Sequence, residues 1–185
     1  MAQGKNGRPE RKMKHVILVL CEGETEECYV NLLRQRYRLP IKIVSKVVGQ
    51  QINQKLINRY KKELKISASE NIDSFLMYDA DVLSVVKNIL SCDAKKILSR
   101  PCIEVWFLAH SEKIGERDFS GEECLHKLVR HTQWQNYQKG KLTEGQKILL
   151  WEKRFEAYNN ISQSISELYS FSTMKEFIDS LEQNK

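Results

Sequence analysis

Over its first two-thirds, the chain alternates short β-type runs with longer segments of helical period. His15–Cys21 (HVILVLC) is continuously apolar and β-rich, the pattern of a strand buried on both faces. Gly23 supplies a turn. Glu26–Arg38 then places Cys28, Leu32, Leu33 and Tyr37 on one helical face, with acids early and arginines late as the helix dipole favours, and Pro40 ends it. Ile41–Val48 alternates apolar and polar residues and predicts a second strand. Gln51–Leu64 carries Ile52, Leu56, Ile57, Tyr60 and Leu64 at helical spacing. Ser74–Tyr78 predicts a third strand, Val82–Leu90 a helix and Lys96–Ser99 a short fourth strand. Pro101 is placed to open a helix through Ile103, Val105, Trp106, Phe107 and Leu108.

Strands alternating with helices predict an α/β fold with a mostly parallel sheet flanked by helices. After about residue 112 the strand signal disappears, and Glu122–His131, Thr143–Tyr158 and Met174–Glu182 read as helices. The expected organisation is a basic tail at 1–14, an α/β core at 15–112 and a helical C-terminal appendage at 113–185. With 185 residues, 41% of them hydrophobic, the chain is large enough for one sizeable core.

The net charge of +6 is unevenly placed. Residues 1–15 carry five basic side chains against Glu10, residues 16–124 balance at 16 of each sign, and residues 125–155 carry seven basic against two acidic. A polyanion such as nucleic acid is therefore a candidate partner. The five cysteines are odd in number and form no C-x-x-C pair, which suggests neither a disulfide framework nor a zinc ribbon. Reduced thiols point to a cytoplasmic protein. The apolar run Val16–Cys21 is too short for a signal-peptide core or a membrane span, so no membrane association is expected.

Parallel sheets bind ligands at the carboxyl ends of their strands. Glu22 follows the first strand there, and Asp79 and Asp81 follow the third. On an extended segment, residues i and i+2 point the same way, so both aspartates can face one ligand. Clustered carboxylates repel, and a hard divalent cation, Mg²⁺ or Mn²⁺, offsets that cost. Glu26, one turn beyond Glu22, can orient such a site. The same acids also fit a plainer reading as helix caps and solvated loop residues.

The strand followed by C-E-G-E-T-E at Cys21–Glu26, then D-A-D at Asp79–Asp81, resembles a Toprim domain, the catalytic module of topoisomerases, bacterial primases and several nucleases. The stretch S-R-P-C-I-E-V-W-F-L-A-H at Ser99–His110 is similar to the S-N-P-C-F-E-x-W-x-L-x-H block of the RloB family of Toprim proteins, also called the abortive-infection family. The three blocks span roughly residues 15–112 in the family's order. The resemblance implies a Toprim fold and phosphodiester chemistry with Mg²⁺. Glu22 would be the general acid/base and a metal ligand, and Asp79 and Asp81 the metal-binding pair. It also implies a role in bacterial anti-phage defence beside an AAA/ABC-type ATPase. Two departures stand out. Arg100 replaces the pattern's Asn, which bears on substrate contact, and Val82-Leu83 follow Asp81 where relatives carry more polar residues, removing extra ligands.

Glu104 lies in an apolar helix, where an unpaired carboxylate is costly; it either reaches the site floor or pairs with an ion such as Arg100. His110 lacks a second His or Cys at ligand spacing, which favours a structural hydrogen bond over a metal or phosphate contact. Trp106, Phe107 and Leu108 read as core, and Cys21 and Cys102 as buried apolar groups. Trp134, Tyr137, Lys139 and Lys141 interleave aromatic and basic groups in a polar loop and are candidates for nucleic-acid contact. The first expectation is a metal-dependent nuclease acting on RNA, tRNA among the candidates, or on DNA. A non-catalytic regulatory or nucleic-acid-binding subunit of a defence complex is its rival. A nucleotide-binding domain is disfavoured, because Glu22-Gly23-Glu24-Thr25 puts acids where a phosphate cradle needs glycines.

Overall fold

The computed structural model describes residues 16–38, 42–64 and 72–184. The basic tail, His15 at the start of the first expected strand, and Pro40 and Ile41 lie outside the described residues. In chain order the elements are β1 (Val16–Cys21), α1 (Glu24–Tyr37), β2 (Lys42–Val47), α2 (Gln54–Glu63), β3 (Ile72–Asp79), α3 (Leu83–Leu90), β4 (Lys95–Arg100), α4 (Glu104–Ala109), α5 (Gly121–Leu128), α6 (Glu144–Glu152), α7 (Arg154–Asn160), β5 (Phe171–Ser172) and α8 (Met174–Glu182). A single 3₁₀ turn at Thr132–Trp134 lies between α5 and α6.

The sheet order is β2-β1-β3-β4-β5, with β1 to β4 parallel and β5 antiparallel to β4. The alternating side chains of the strands build two cores. Ile17, Val19, Cys21, Phe75, Met77 and Ile97 face a cluster that includes residues of α1 and α4 to α8. Leu18, Leu20, Leu76, Tyr78 and Leu98 face a smaller cluster with Ile57 of α2 and with Val85 and Ile89 of α3. Every residue of β1 is buried, as its unbroken apolar run requires for a strand covered on both sides. Among the described residues, no helix is long and apolar enough to cross a membrane.

Several boundaries differ from expectation for local reasons. Helix α1 begins at Glu24, because the Glu26 side chain returns to the Gly23 N–H, the one half of a capping box that an N-cap glycine allows. Gly23 has an extended backbone (φ −136°), so its turn does not use glycine's left-handed freedom. A Cβ there would stand 3.2 Å from Glu26 Oε2, and this close approach is what favours glycine. Pro101 does not open the fourth helix, which starts three residues later at Glu104. The segment expected as one helix over Thr143–Tyr158 breaks at Lys153. There Arg154 turns inward, donating to Trp151 O and reaching Glu182 Oε1 at 3.4 Å. Strand β5 carries too few residues for any periodicity to appear in sequence, yet Thr173 just beyond it exchanges two 2.9 Å hydrogen bonds with the Leu98 backbone.

Candidate active site

The chain runs from β1 outward to β2 and then returns across β1 to β3, so the strand order reverses between β1 and β3. The carboxyl ends of strands flanking such a reversal form the ligand crevice of open α/β sheets. Glu22 and Asp79 sit there, one just past the end of β1 and the other closing β3. They are tied together: Glu22 N–H donates to Met77 O at 3.0 Å, and Asp79 N–H donates to Glu22 Oε2 at 3.0 Å. Gln50 Nε2 donates to the other Glu22 oxygen at 3.0 Å.

Asp79 Oδ1 accepts the Ile103 N–H at 2.9 Å, which couples the end of β3 to the entry of α4. Glu26 is buried on the first turn of α1, with Oε2 accepting the Gly23 N–H at 3.0 Å. Glu104 is 1% exposed at the start of α4. These four carboxylates line one cleft of about 290 Å³. Burial, and next to it the charges of Glu26, Glu104 and Glu22, push Asp79 up to about 9 against the hydrogen bond from Ile103. Burial also raises Glu26, with smaller contributions from Glu104 and Glu22.

The far wall of the cleft comes from the loop after Trp134. Tyr137 Oη donates to Glu104 Oε1 at 2.8 Å, and Lys139 Nζ lies 3.8 Å from the same oxygen. Lys139 is two-thirds exposed, and Glu104 is the largest cause of its raised pKa. Gly140 N–H donates to Thr25 Oγ1 at 2.9 Å, while Lys141 N–H closes the turn onto Gln138 O at 3.0 Å. The φ of +75° at Gly140 is the left-handed conformation that glycine serves at the third position of a tight turn. The loop thus straps the acidic cleft from outside the strand–helix core.

Some expected site residues fall elsewhere. Asp81 is exposed and does not line the cleft. Strand β3 ends at Asp79 and the chain bends at Ala80 and Asp81, so the i, i+2 alternation that would align the two aspartates stops short. Arg100 does not pair with Glu104. It forms a two-pronged contact with Asp118, both distances 3.0 Å. His110 is buried along α4, its Nδ1 2.8 Å from Trp106 O and its ring edge-on to Trp106, a structural role away from the cleft.

Trp134 cannot stack on a base. It is fully buried, lies parallel to Phe107 at 5.4 Å, and donates through Nε1 to Ser111 Oγ. Tyr137 is half-buried against Phe107 and Trp134 and turns its hydroxyl to Glu104. Lys141 is exposed. Cys21 and Cys102 are buried, as expected, and burial raises the Cys21 thiol. Thr25, Gln50, Gly140 and the Ile103 N–H were not anticipated as site groups, although Thr25 and Ile103 lie inside two of the three motif blocks.

The donor chemistry of the cleft suits a hard divalent cation, since every candidate ligand is a carboxylate oxygen. Among the described residues, however, no group of three or more His, Cys, Asp or Glu side chains is arranged to hold an ion. Glu22, Glu26 and Asp79 each turn an oxygen to a backbone N–H instead.

The RloB-like protein family matches residues 17–181, from β1 to within α8. The chain belongs to the RloB-like family. No curated protein and no solved structure matched it. In this RloB-like chain the three sequence blocks converge in space: Cys21–Glu26 and Asp79 meet across the β1–β3 reversal, and Ser99–His110 supplies the Ile103 N–H and Glu104. The match also runs through the C-terminal helices and the loop bearing Tyr137 and Lys139, well beyond the three blocks.

Proposed function

We propose that this protein is a metal-dependent nuclease of the Toprim type, hydrolysing a phosphodiester in RNA or DNA as the effector of a bacterial anti-phage system with an ATPase partner. The observation that carries the reading is the Glu22–Asp79 pair at the strand-order reversal, in a cleft with Glu26 and Glu104. Glu22 and Asp79, backed by Glu26 and Glu104, are the residues that would hold Mg²⁺ or Mn²⁺. Such an ion, when bound, polarises a phosphate oxygen and steadies the leaving oxygen. Glu22, hydrogen-bonded at both oxygens, is the group that takes a proton from the attacking water or gives one to the leaving oxygen. Buried Glu26 holds the Gly23 turn, and through it the Glu22 backbone, in place. Lys139 at the cleft wall places a positive charge where phosphate charge develops. The defence role and the ATPase rest on the family resemblance.

Cleavage of labelled tRNA, single-stranded RNA and duplex DNA with Mg²⁺, Mn²⁺ or EDTA tests this, comparing wild type with Glu22→Ala, alone and with a co-encoded ATPase and ATP. Metal-dependent cutting lost in the variant is the expected result. The position of Asp81 outside the cleft favours a second reading, a non-catalytic subunit of a defence complex. It gains the ground if neither protein cuts any substrate and both still bind the ATPase.

A further inference from the structure

A second concavity, about 630 Å³, lies between α2 and the end of β2 with the Val48–Gly49 turn that follows it. Its volume is in the range of clefts that bind small ligands. The floor is apolar: Val48, Leu56 and Tyr60 rest partly buried on the smaller core, and Val47 beside them is 41% exposed. The rim is cationic. Lys55 and Arg59 are exposed on α2, which carries four basic side chains against one acid. Arg59 lies 5.1 Å from the centre of the Tyr60 ring, and its contact with Glu63 at 3.3 Å joins two groups each more than half exposed, so it holds the guanidinium weakly.

The segment that lines the groove at Val48 and Gly49 is firmly laced to the end of β1 and to β3. Val48 N–H donates to Cys21 O at 2.9 Å, Gly49 N–H to Glu22 O at 3.1 Å, and Tyr78 Oη to Gly49 O at 2.9 Å. One loop therefore separates this groove from Glu22. We infer that the groove is a subsite for an unpaired nucleotide strand: Tyr60 stacks on a base while Lys55 and Arg59 neutralise the phosphates beside it. This assignment rests on the nucleic-acid reading of the neighbouring cleft and specifies its substrate as single-stranded. An apolar concave floor favours that form, because a base within a duplex has its faces covered by its neighbours. The cationic rim complements a phosphate backbone and opposes a basic partner.

The test is fluorescence anisotropy of labelled single-stranded RNA and DNA, and of the same sequences as duplexes, in EDTA so that no turnover intervenes. Wild type is compared with Lys55→Glu/Arg59→Glu, Tyr60→Leu and Tyr60→Phe, each checked for folding by its melting curve, and with Glu22→Ala. The double variant is expected to lose at least about tenfold in single-strand affinity, and its log–log salt slope to flatten by about 1 to 2. Tyr60→Leu is expected to weaken single-strand binding about fivefold or more and leave duplex binding unchanged, while Tyr60→Phe binds as wild type. Unchanged binding by the double variant, duplex binding stronger than single-strand binding, or no binding of any oligonucleotide by wild type overturns the assignment. If wild type binds through the groove but cuts nothing with any metal, the subsite stands and the nuclease reading falls.

Discussion

Asp79 joins structure and chemistry in one side chain. Its Oδ1 anchors the Ile103 N–H at 2.9 Å, while burial and three neighbouring carboxylates push it up to about 9. Asparagine retains an acceptor for Ile103 and removes the group that like charges oppose. Asp79→Asn is therefore expected to cut cleavage by at least about 100-fold, and to melt at the same temperature as wild type or a few degrees higher. Scanning fluorimetry run beside the cleavage assay checks both halves; a large drop in melting temperature would mark Asp79 as structural. His110 gives the opposite case, an ionisable group outside the cleft. Burial lowers it to about 4 from an ordinary value of 6.5, so the folded protein keeps the ring neutral while the unfolded chain takes up a proton. Its contribution is intact above pH 6.5 and is lost as pH falls from 6.5 towards 4, by about 3 kcal/mol in all. Urea titrations over that range should show a steeper fall for wild type than for His110→Gln. Parallel curves would mean that the ring titrates alike in both states.

At the scale of elements, the strap formed by the turn at Gln138–Lys141 reaches the cleft through local geometry that one substitution disturbs. Gly140 has φ +75°, and a Cβ there would lie 3.0 Å from Glu24 Oε2 and 3.1 Å from Glu24 Cβ. Gly140→Ala is expected to cost about 1–2 kcal/mol and to shift Lys139 away from Glu104. Cleavage should fall about tenfold, with a melting temperature several degrees lower; an unaltered rate would remove the strap from the active site. The strap also shows where sequence reading stops. Glu22, Asp79 and Glu26 are legible because strand and helix periods place them at the sheet's carboxyl edge. Glu104 is legible as a costly charge in an apolar helix, but its partners Tyr137 and Lys139 lie more than 30 residues away, and neither charge nor period encodes that contact. Trp134 is misread for the same reason. Its polar neighbours suggest a surface loop, whereas Phe107, on an element with no sequence link to it, supplies the parallel ring that buries it. Asp81 is misread because the end of a strand is fixed by the following bend, which Ala80-Asp81-Val82 does not announce through Gly or Pro.

Across the whole molecule, the segment after residue 112 completes the larger core. Leu128, Trp134, Leu150, Ala157, Phe177 and Leu181 are fully buried in one cluster with the inner faces of β1, β3 and β4. The closing stretch matters most, because β5 extends the sheet beyond β4 and α8 covers it: Phe177 meets Phe75 edge-on at 5.0 Å. Phe171, Met174, Phe177, Ile178 and Leu181 are each at most 1% exposed. Burying a side chain of this kind contributes about 1.5–3 kcal/mol, so these five together rival the entire net stability of a typical domain, about 5–15 kcal/mol. A chain ending at Ser170 would also leave the Leu98 N–H and C=O without the Thr173 partners they have now. Such a truncation is expected to lose the cooperative melt of the whole protein, including the β1–β3 crevice. A self-sufficient α/β core would instead keep a sharp transition close to that of the full chain. Circular dichroism melts of the two proteins separate these outcomes. Loss of the transition would mean that the helices after residue 112 and the carboxylates before it fold as one unit, and that the strap reaches Glu104 because both belong to the same packed layer.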